Sequence, residues 1–488
     1  AMAFADDLAI VSGSWEGMRA NLDILVDFCE LTGMRTQPSK CHGFLIEKSG
    51  SRSYKVNRCE SWLLNGIALH MIGLEESVRY LGVQVNPWTG IFTEDMVAKL
   101  RQWVAAISKT PLDPLDKLSL LCRYAVQSVI FVADHCMLSA KARTEMDLNI
   151  RRAVKRWLHL ARCTTNGLLY SRTSSGGLGI PKMSMIVPAI QARRLLGLSR
   201  SKDEMVRWMS QITTDTKVFE RAWLSAGGSP DEVPEIGPVL VEGSSSIDWR
   251  QLIQGKGIRM FEADEVSNCW LTNYPPNKLK SGDFTAAVQL RANLYPTREL
   301  VGRGRTDTVD HIIALCPKVK LCRIQRHHRV CQVLVAQTER HGWEVEREKR
   351  WTLPSGKVMA PDMICWLYEL AIIIDVTVRY KFDESLERAQ IEKETKYRPL
   401  LPVLRASRAR TRKVTVHGFT LGARGKWPTK NELLFADLGL SKAQTRSFAE
   451  LLSRRVLLYS LDIMRTLPYH APGLGKPKPA MPATGVAH

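Results

Sequence analysis

The 488 residues contain no apolar run long enough to cross a bilayer. The most apolar stretch, Met363 to Val378, is interrupted by Glu369 and Asp375 and falls short of the ~20 residues a membrane helix needs, so buried strands are expected there. No targeting segment opens the chain. Ala1 leads directly into a hydrophobic strand, Met2-Ala3-Phe4-Ala5, without an initiator Met, and the expectation is a fragment whose N-terminal part is missing. A disulfide frame is not the expectation either: the eleven cysteines are odd in number and unevenly spaced, which favours reduced thiols or metal ligands. Internal repeats are absent.

What the chain does have is a core-forming composition and a large positive charge. An apolar share of 45% with 24% charged residues describes a folded protein, and the length implies roughly two to four domains. The net charge of +20 makes a polyanion the expected partner, because DNA or RNA gains from releasing counterions onto Lys and Arg. A merely basic soluble protein is the plain alternative.

Hydrophobic spacing divides the chain. Leu22, Leu25, Val26, Cys29 and Leu31 form an apolar stripe ending at Gly33, which is expected to cap that helix. From Thr93, Met96, Leu100, Trp103, Val104 and Ile107 fall on one helical face, and Pro111 stops the run. Asp113-Pro114 starts a second helix extending to about Phe131, and a third covers Ile150 to Leu160 with Arg151, Arg152, Lys155 and Arg156 upon it. Residues 226–246 read as a Gly/Ser/Pro linker, and the tail from Pro468 has no apolar period.

Asp6 and Asp7 stand between Phe4-Ala5 and Leu8-Ala9-Ile10-Val11, a pattern expected to form a β-hairpin with acids at its tip. Two divalent ions held by such acids stabilise the attacking and leaving oxygens of phosphoryl transfer, whereas an isolated Asp-Asp equally well caps a turn. Phe4-Ala5-Asp6-Asp7-Leu8 resembles the catalytic box of reverse transcriptases. Gly33-Met34-Arg35-Thr36 with Pro38-Ser39-Lys40 resembles the next palm motif, and Tyr80-Leu81-Gly82 the primer-grip hairpin. The resemblance implies that Asp6 and Asp7 bind Mg²⁺ (or Mn²⁺) and that Lys40 lies near the incoming nucleotide. In that family a further aspartate, earlier in the chain, completes the metal site, so this fragment is not expected to polymerise alone.

Arg156-Trp157-Leu158-His159-Leu160 followed by Gly176-Gly177-Leu178-Gly179-Ile180-Pro181 resembles the region after the thumb in site-specific non-LTR retrotransposons that insert into large-subunit ribosomal RNA genes. The glycines alone only permit positive φ; with the basic helix before them they suit a phosphate-contacting segment. His311-x4-Cys316 has the spacing of the second half of a zinc knuckle, and Pro296-Thr297-Arg298 and Gly302-Arg303-Gly304-Arg305 precede it as in those elements. The usual Cys-x2-Cys pair is missing between Thr306 and Asp310, which argues against bound Zn²⁺. Cys322, His327, His328 and Cys331 are substitutes without the usual spacing. On a helix, His327 would share a face with Arg323 and Arg326 and is expected in solvent.

A second acidic set follows. Pro361-Asp362 opens one apolar strand, and Ile372 to Val378 is a second that carries Asp375. A carboxylate in such a strand is costly unless it meets a cation or donor, and two antiparallel strands would bring Asp362 and Asp375 together around Mg²⁺. The helix expected from Asp383 through Tyr397 places Lys393, Lys396 and Tyr397 on one face, where a lysine can stabilise phosphate charge. The plain alternative is a turn aspartate and a solvated lysine. The set resembles the PD-(D/E)xK nucleases, in the variant whose lysine has moved onto the following helix, although Ala360 replaces a frequent basic residue. Residues 395–427 hold nine Lys/Arg and no Asp/Glu, and Arg405, Arg408, Arg410, Arg412 and Lys413 suit a phosphate backbone as well as a solvated surface.

The resulting expectation is a multidomain α+β chain with six parts. They are the end of a reverse-transcriptase palm (1–92), a helical thumb and DNA-handling segment (93–225), a linker region (226–294), a degenerate zinc-knuckle-like Cys/His segment (295–335), an α/β restriction-type endonuclease (336–440), and a C-terminal helix with a disordered tail (441–488). The resemblance implies target-primed reverse transcription in the nucleus: the nuclease nicks genomic DNA at a ribosomal RNA gene, and the freed 3′ hydroxyl primes copying of the element's RNA. A non-catalytic nucleic-acid scaffold or a decayed element copy are the rivals. Retention of Asp6, Asp7, Asp362, Asp375 and Lys393 argues against the scaffold.

Overall fold

An apolar, Ile/Val-rich run forms strand Leu370–Arg379, buried on both faces along most of its length, and this strand organises the larger folded unit. The computed structural model describes residues 1–91, 96–136, 138–213, 216–225, 249–272, 277–297, 308–380, 383–409 and 411–467. The expected linker at 226–246, the tail from Pro468, and Arg303, Arg305 and Arg410 lie outside the described residues. Helix and strand mix in two compact units, and among the described residues no helix is long and apolar enough to cross a membrane. The unit boundaries cut across the expected palm and thumb: one unit comprises 1–103, 124–147 and 183–239, the other 104–123, 148–182 and 240–488.

In the first unit, Met2–Phe4 and Asp7–Ala9 pair antiparallel with Phe4 opposite Asp7, leaving Ala5-Asp6 as the turn. Ala5 takes a positive φ of 53° to close it. Helix Trp15–Thr32 starts at the Ser14 cap and ends at Gly33 in the left-handed conformation. It buries Leu22 against Trp62, Leu64 and Met71, with Trp15 stacked on Trp62; Leu31 projects outward at 87% exposure and is not on the stripe. Val78–Tyr80 and Val83–Asn86 form a hairpin turned by Leu81-Gly82, both at positive φ. In helix Met96–Lys109, Met96 and Leu100 are buried, but Trp103 is 43% exposed. A 100° step carries position 103 to the edge of that face. The single helix expected to reach Phe131 is instead Pro114–Leu120, a π-helical turn at Leu121–Ala125, and Gln127–His135.

The second unit is built on a four-stranded sheet in the order Glu344–Arg347, Met363–Leu367, Leu370–Arg379, Lys413–Gly422. The first three strands are antiparallel, and the last two are parallel, joined through helices Asp383–Tyr397 and Leu400–Ser407. Ala371 and Ile373 face Tyr397, Leu400 and Leu404. Ile372, Ile374 and Val376 face the other way, onto Val330 and Leu334 of helix Lys320–Arg340 and Leu452 and Val456 of helix Lys442–Arg465. Both helices therefore belong to the core of this sheet, although the sequence assigned them to a Cys/His segment and a C-terminal appendage. Their apolar positions are spaced for a helix and reveal nothing of which sheet they cover.

The described residues 249–272 and 277–294, grouped with the linker, are folded too. Trp249, Phe261, Trp270 and Phe284 are buried, and the Arg291 guanidinium lies 3.5 Å from the Phe261 ring centre and donates to Asn268 Oδ1 at 2.7 Å. These four buried aromatics mark a core that the linker expectation missed. In the loop at Gly177, a Cβ would sit 2.3 Å from Ser171 O, so the Gly-rich turn serves close backbone approach.

Candidate active site

The register of the two central strands sets the acids. Met363 pairs with Ile374, so one further step of the same antiparallel register puts Asp362 across from Asp375 where the pairing ends. The Asp362 backbone carbonyl accepts from Glu348 N at 3.1 Å, and its Oδ2 accepts from Val376 N at 2.6 Å, the amide just beyond Asp375. Asp375 is only 3% exposed, on the sheet face covered by helix Asp383–Tyr397. An ionised carboxylate at that depth requires a cation.

Lys393 supplies one. Its Nζ lies 2.5 Å from Asp375 Oδ2, in ion-pair contact but off the hydrogen-bond direction, so this buried oxygen keeps an unsatisfied lone pair. The helix can come so close because Gly418 stands opposite Asp375 in the parallel register, where a Cβ would be 2.4 Å from Gln390 O. Tyr397 donates to Ala360 O at 3.0 Å, the carbonyl two residues before Asp362, and receives a bond from Lys396 at 2.8 Å. Burial and then the Asp375 charge push the Tyr397 hydroxyl well up, so it is a neutral donor that ties the helix to the strand entrance.

The sequence missed a further participant. His327, expected in solvent, approaches Asp362 Oδ2 at 3.1 Å and Val376 O at 3.2 Å. The hydrogen bond to Asp362, aided by Cys331, lifts the His327 pKa to about 10 against the cost of burial. For Asp362, burial pushes the carboxyl up, but the His327 hydrogen bond and charge and the Val376 amide outweigh it and hold it below its usual value. Meanwhile Arg326 is buried and donates to Ser460 Oγ at 3.1 Å. Its helix lies flat on the sheet, and helical spacing could not show that the face shared by 323, 326 and 327 points inward.

The expected nucleic-acid contacts divide by environment. Asp6, Asp7 and Lys40 are exposed on their own unit. Lys155 is engaged with the carbonyls of Arg162 and Thr164 at 2.8 and 2.7 Å, while Arg151 reaches Tyr170 Oη at 3.4 Å and Arg152 and Arg156 are exposed. The run after Arg405, itself exposed, is largely ion-paired. Arg408 clasps Glu344 and Glu346 and lies over Trp366, Arg412 pairs with Glu369, and Lys413 with Asp437. Acids on a neighbouring strand, in a turn and on a helix, all distant in sequence, account for this.

A basic cleft of about 1070 Å³ lies elsewhere in the same unit, with Arg259, Arg323, Arg379 and Arg388 among its walls. His327 and Thr377 line it as well, which brings it to the acids. His311 and Cys316, the half-knuckle, join no cluster of three or more candidate metal ligands among the described residues.

No family model matches the chain. It is 27% identical over 482 residues to a retrovirus-related Pol polyprotein from type-1 retrotransposable element R2 of Popillia japonica, covering 95% of this chain and 97% of that one. A polyprotein of the same name from Nasonia vitripennis is 24% identical over 94% of this chain, and that from type-2 retrotransposable element R2DM of Drosophila melanogaster 24% identical over 88%. The chain spans less than half the length of these last two, 44% and 41%. Likeness sustained along nearly its whole length, and to several such proteins, places the chain among the Pol polyproteins of R2-type non-LTR retrotransposons.

Proposed function

We propose that the larger unit is a metal-dependent DNA endonuclease, and that the chain joins it to part of an RNA-directed DNA polymerase for target-primed reverse transcription at a ribosomal RNA gene. The observation that carries this reading is the strand register that sets Asp362 across from Asp375 with Lys393 at 2.5 Å. Asp362 and Asp375 would hold Mg²⁺ or Mn²⁺, and the buried, unsatisfied Asp375 Oδ2 fits a hard cation that prefers carboxylate oxygen. When bound, such an ion polarises a phosphodiester and acidifies the attacking water.

The protein's own groups do the rest. Lys393, held against Asp375, offers its ammonium to the phosphate oxygens as charge builds there. Tyr397 and Lys396 fix the helix that carries it. The cleft, with Arg259 and Arg323 in its wall beside the ion-paired Arg379 and Arg388, gives a DNA backbone a path to the acids. For the polymerase part, Asp6 and Asp7 at the hairpin tip support the reading of a palm remnant, with element RNA as template. A nuclear site of action follows from the proposed target.

The decisive experiment is a Mg²⁺-dependent nicking assay on ribosomal DNA. Asp375→Ala is expected to abolish nicking and to retain DNA binding. Undiminished nicking by that variant would remove the acidic pair from the mechanism.

A further inference from the structure

Among the described residues, one group of three side chains places nitrogen, sulfur and oxygen donors within 4.8 Å of one another: His327, Cys331 and Asp362. His327 and Cys331 are one turn apart on helix Lys320–Arg340 and so share a face. The helix sits on the sheet with Val330 and Leu334 in the core, which turns that face towards the strand end carrying Asp362. Cys331 Sγ lies 3.8 Å from His327 Nδ1 and 3.9 Å from Nε2, and Nε2 lies 3.1 Å from Asp362 Oδ2.

We propose that these three side chains form a binding site for a zinc-class divalent cation, lodged beside the acidic pair and sharing Asp362 with it. Bonds of ~2.0–2.3 Å in a tetrahedral arrangement put neighbouring donor atoms roughly 3.3–3.8 Å apart. Nitrogen to oxygen, at 3.1 Å, and nitrogen to sulfur, at 3.8–3.9 Å, are already near that separation, and sulfur and oxygen lie within 4.8 Å of each other. Three protein ligands leave a fourth position for water or for Val376 O, which is 3.2 Å from the same imidazole nitrogen. Thiolate and imidazole select Zn²⁺, Co²⁺ or Cd²⁺ over Mg²⁺, so the site differs in chemistry from the all-oxygen pair next to it.

Cys331 is buried, while His327 lines the solvent-accessible cleft and gives the ion a way in. His311 and Cys316 take no part. Binding replaces the proton now shared between His327 and Asp362, and it anchors Asp362 to the helix. A cation here therefore reports on, and competes for, a carboxylate that the nuclease reading also uses. The inference itself rests on the three side chains and is read without any nicking.

The test is a titration of the metal-free full chain with Co²⁺, followed by near-ultraviolet thiolate-to-cobalt charge transfer. One equivalent is expected to develop the band, Zn²⁺ to bleach it, and excess Mg²⁺ to leave it intact. Cys331→Ser abolishes the band, Cys316→Ser and Cys322→Ser keep it, and Asp362→Asn weakens Co²⁺ binding by roughly tenfold or more. Circular dichroism checks that each variant is folded, and His327→Gln serves as a second variant that must lose the band. No band in the wild-type chain, or a band surviving Cys331→Ser or His327→Gln, overturns the proposal. Unchanged affinity in Asp362→Asn removes the shared carboxylate.

Discussion

Gly418 lies directly across from Asp375 in the parallel pairing of the two long strands, and its missing side chain is the space into which the Lys393 helix packs. A backbone feature on one strand thus governs how closely the Lys393 helix approaches an acid on the next. Gly418 N also reaches Glu394 Oε1 at 3.3 Å, binding the helix from the same point.

The glycine should accordingly be hard to replace. Gly418→Ala puts a methyl group against Gln390 O, which cannot move without its helix, so a destabilisation of about 1–3 kcal/mol is expected from overpacking. Thermal unfolding measures the loss. Nicking should fall further than the stability change explains, because Lys393 is carried away from Asp375; equal nicking at a temperature where the variant is folded would separate the two.

Lys393→Met removes the only cation paired with Asp375 among the described ion pairs. Nicking is expected to drop by roughly 100-fold or more, the scale of losing one preorganised stabiliser of transition-state charge. Affinity for a DNA duplex should change little, which gel shift on the same preparation checks. A parallel loss of affinity would assign Lys393 to binding instead.

The His327–Asp362 pair predicts a pH signature in metal-free protein. His327 is raised from 6.5 to about 10, so its stabilisation is complete below pH 6.5 and is lost as pH rises through about 10. Asp362 is lowered, so its share is present above the ordinary carboxylate range and is lost as pH falls through its depressed value. The two describe one interaction and are not added. Unfolding midpoints of wild type and His327→Gln are therefore expected to differ most between those limits and to converge towards pH 10. A difference that persists unchanged into alkali would show that packing, and not the ion pair, is what His327 provides.

Basic residues should divide according to their partners. Arg408→Ala is expected to leave DNA affinity within about twofold, since its guanidinium is committed to Glu344 and Glu346. Arg259→Ala, in the cleft wall, should weaken binding of all sequences alike and reduce the salt dependence by about one phosphate contact. Affinity measured against salt concentration distinguishes them, and the reverse ranking would move the DNA path to the sheet edge.

The two central strands, and the nearness of Asp362, Asp375 and Lys393, were legible because their signals are local. Val, Ile and Thr enrichment marks Ile372 to Val378 as a buried strand, and the spacing of Asp362 and Asp375 lets a tight hairpin oppose them. Gly33 was readable as a helix cap for the same reason: a left-handed residue terminates the turn beside it. The aromatics at 249, 261, 270 and 284 were present in the sequence but unread, because they follow neither a helical nor a strand period and are gathered only by folding.

By itself, then, the sequence determined which residues alternate, which acids can meet across a hairpin, and which lysine follows them on a helix. Only the tertiary structure decided that His327 turns inward to Asp362, that Arg408 is occupied by Glu344 and Glu346, and that the open basic surface is a cleft beside the acids. Periodicity is carried by neighbours along the chain, whereas Coulomb energy and desolvation depend on distance in space, and those distances come from elements that the chain order keeps apart.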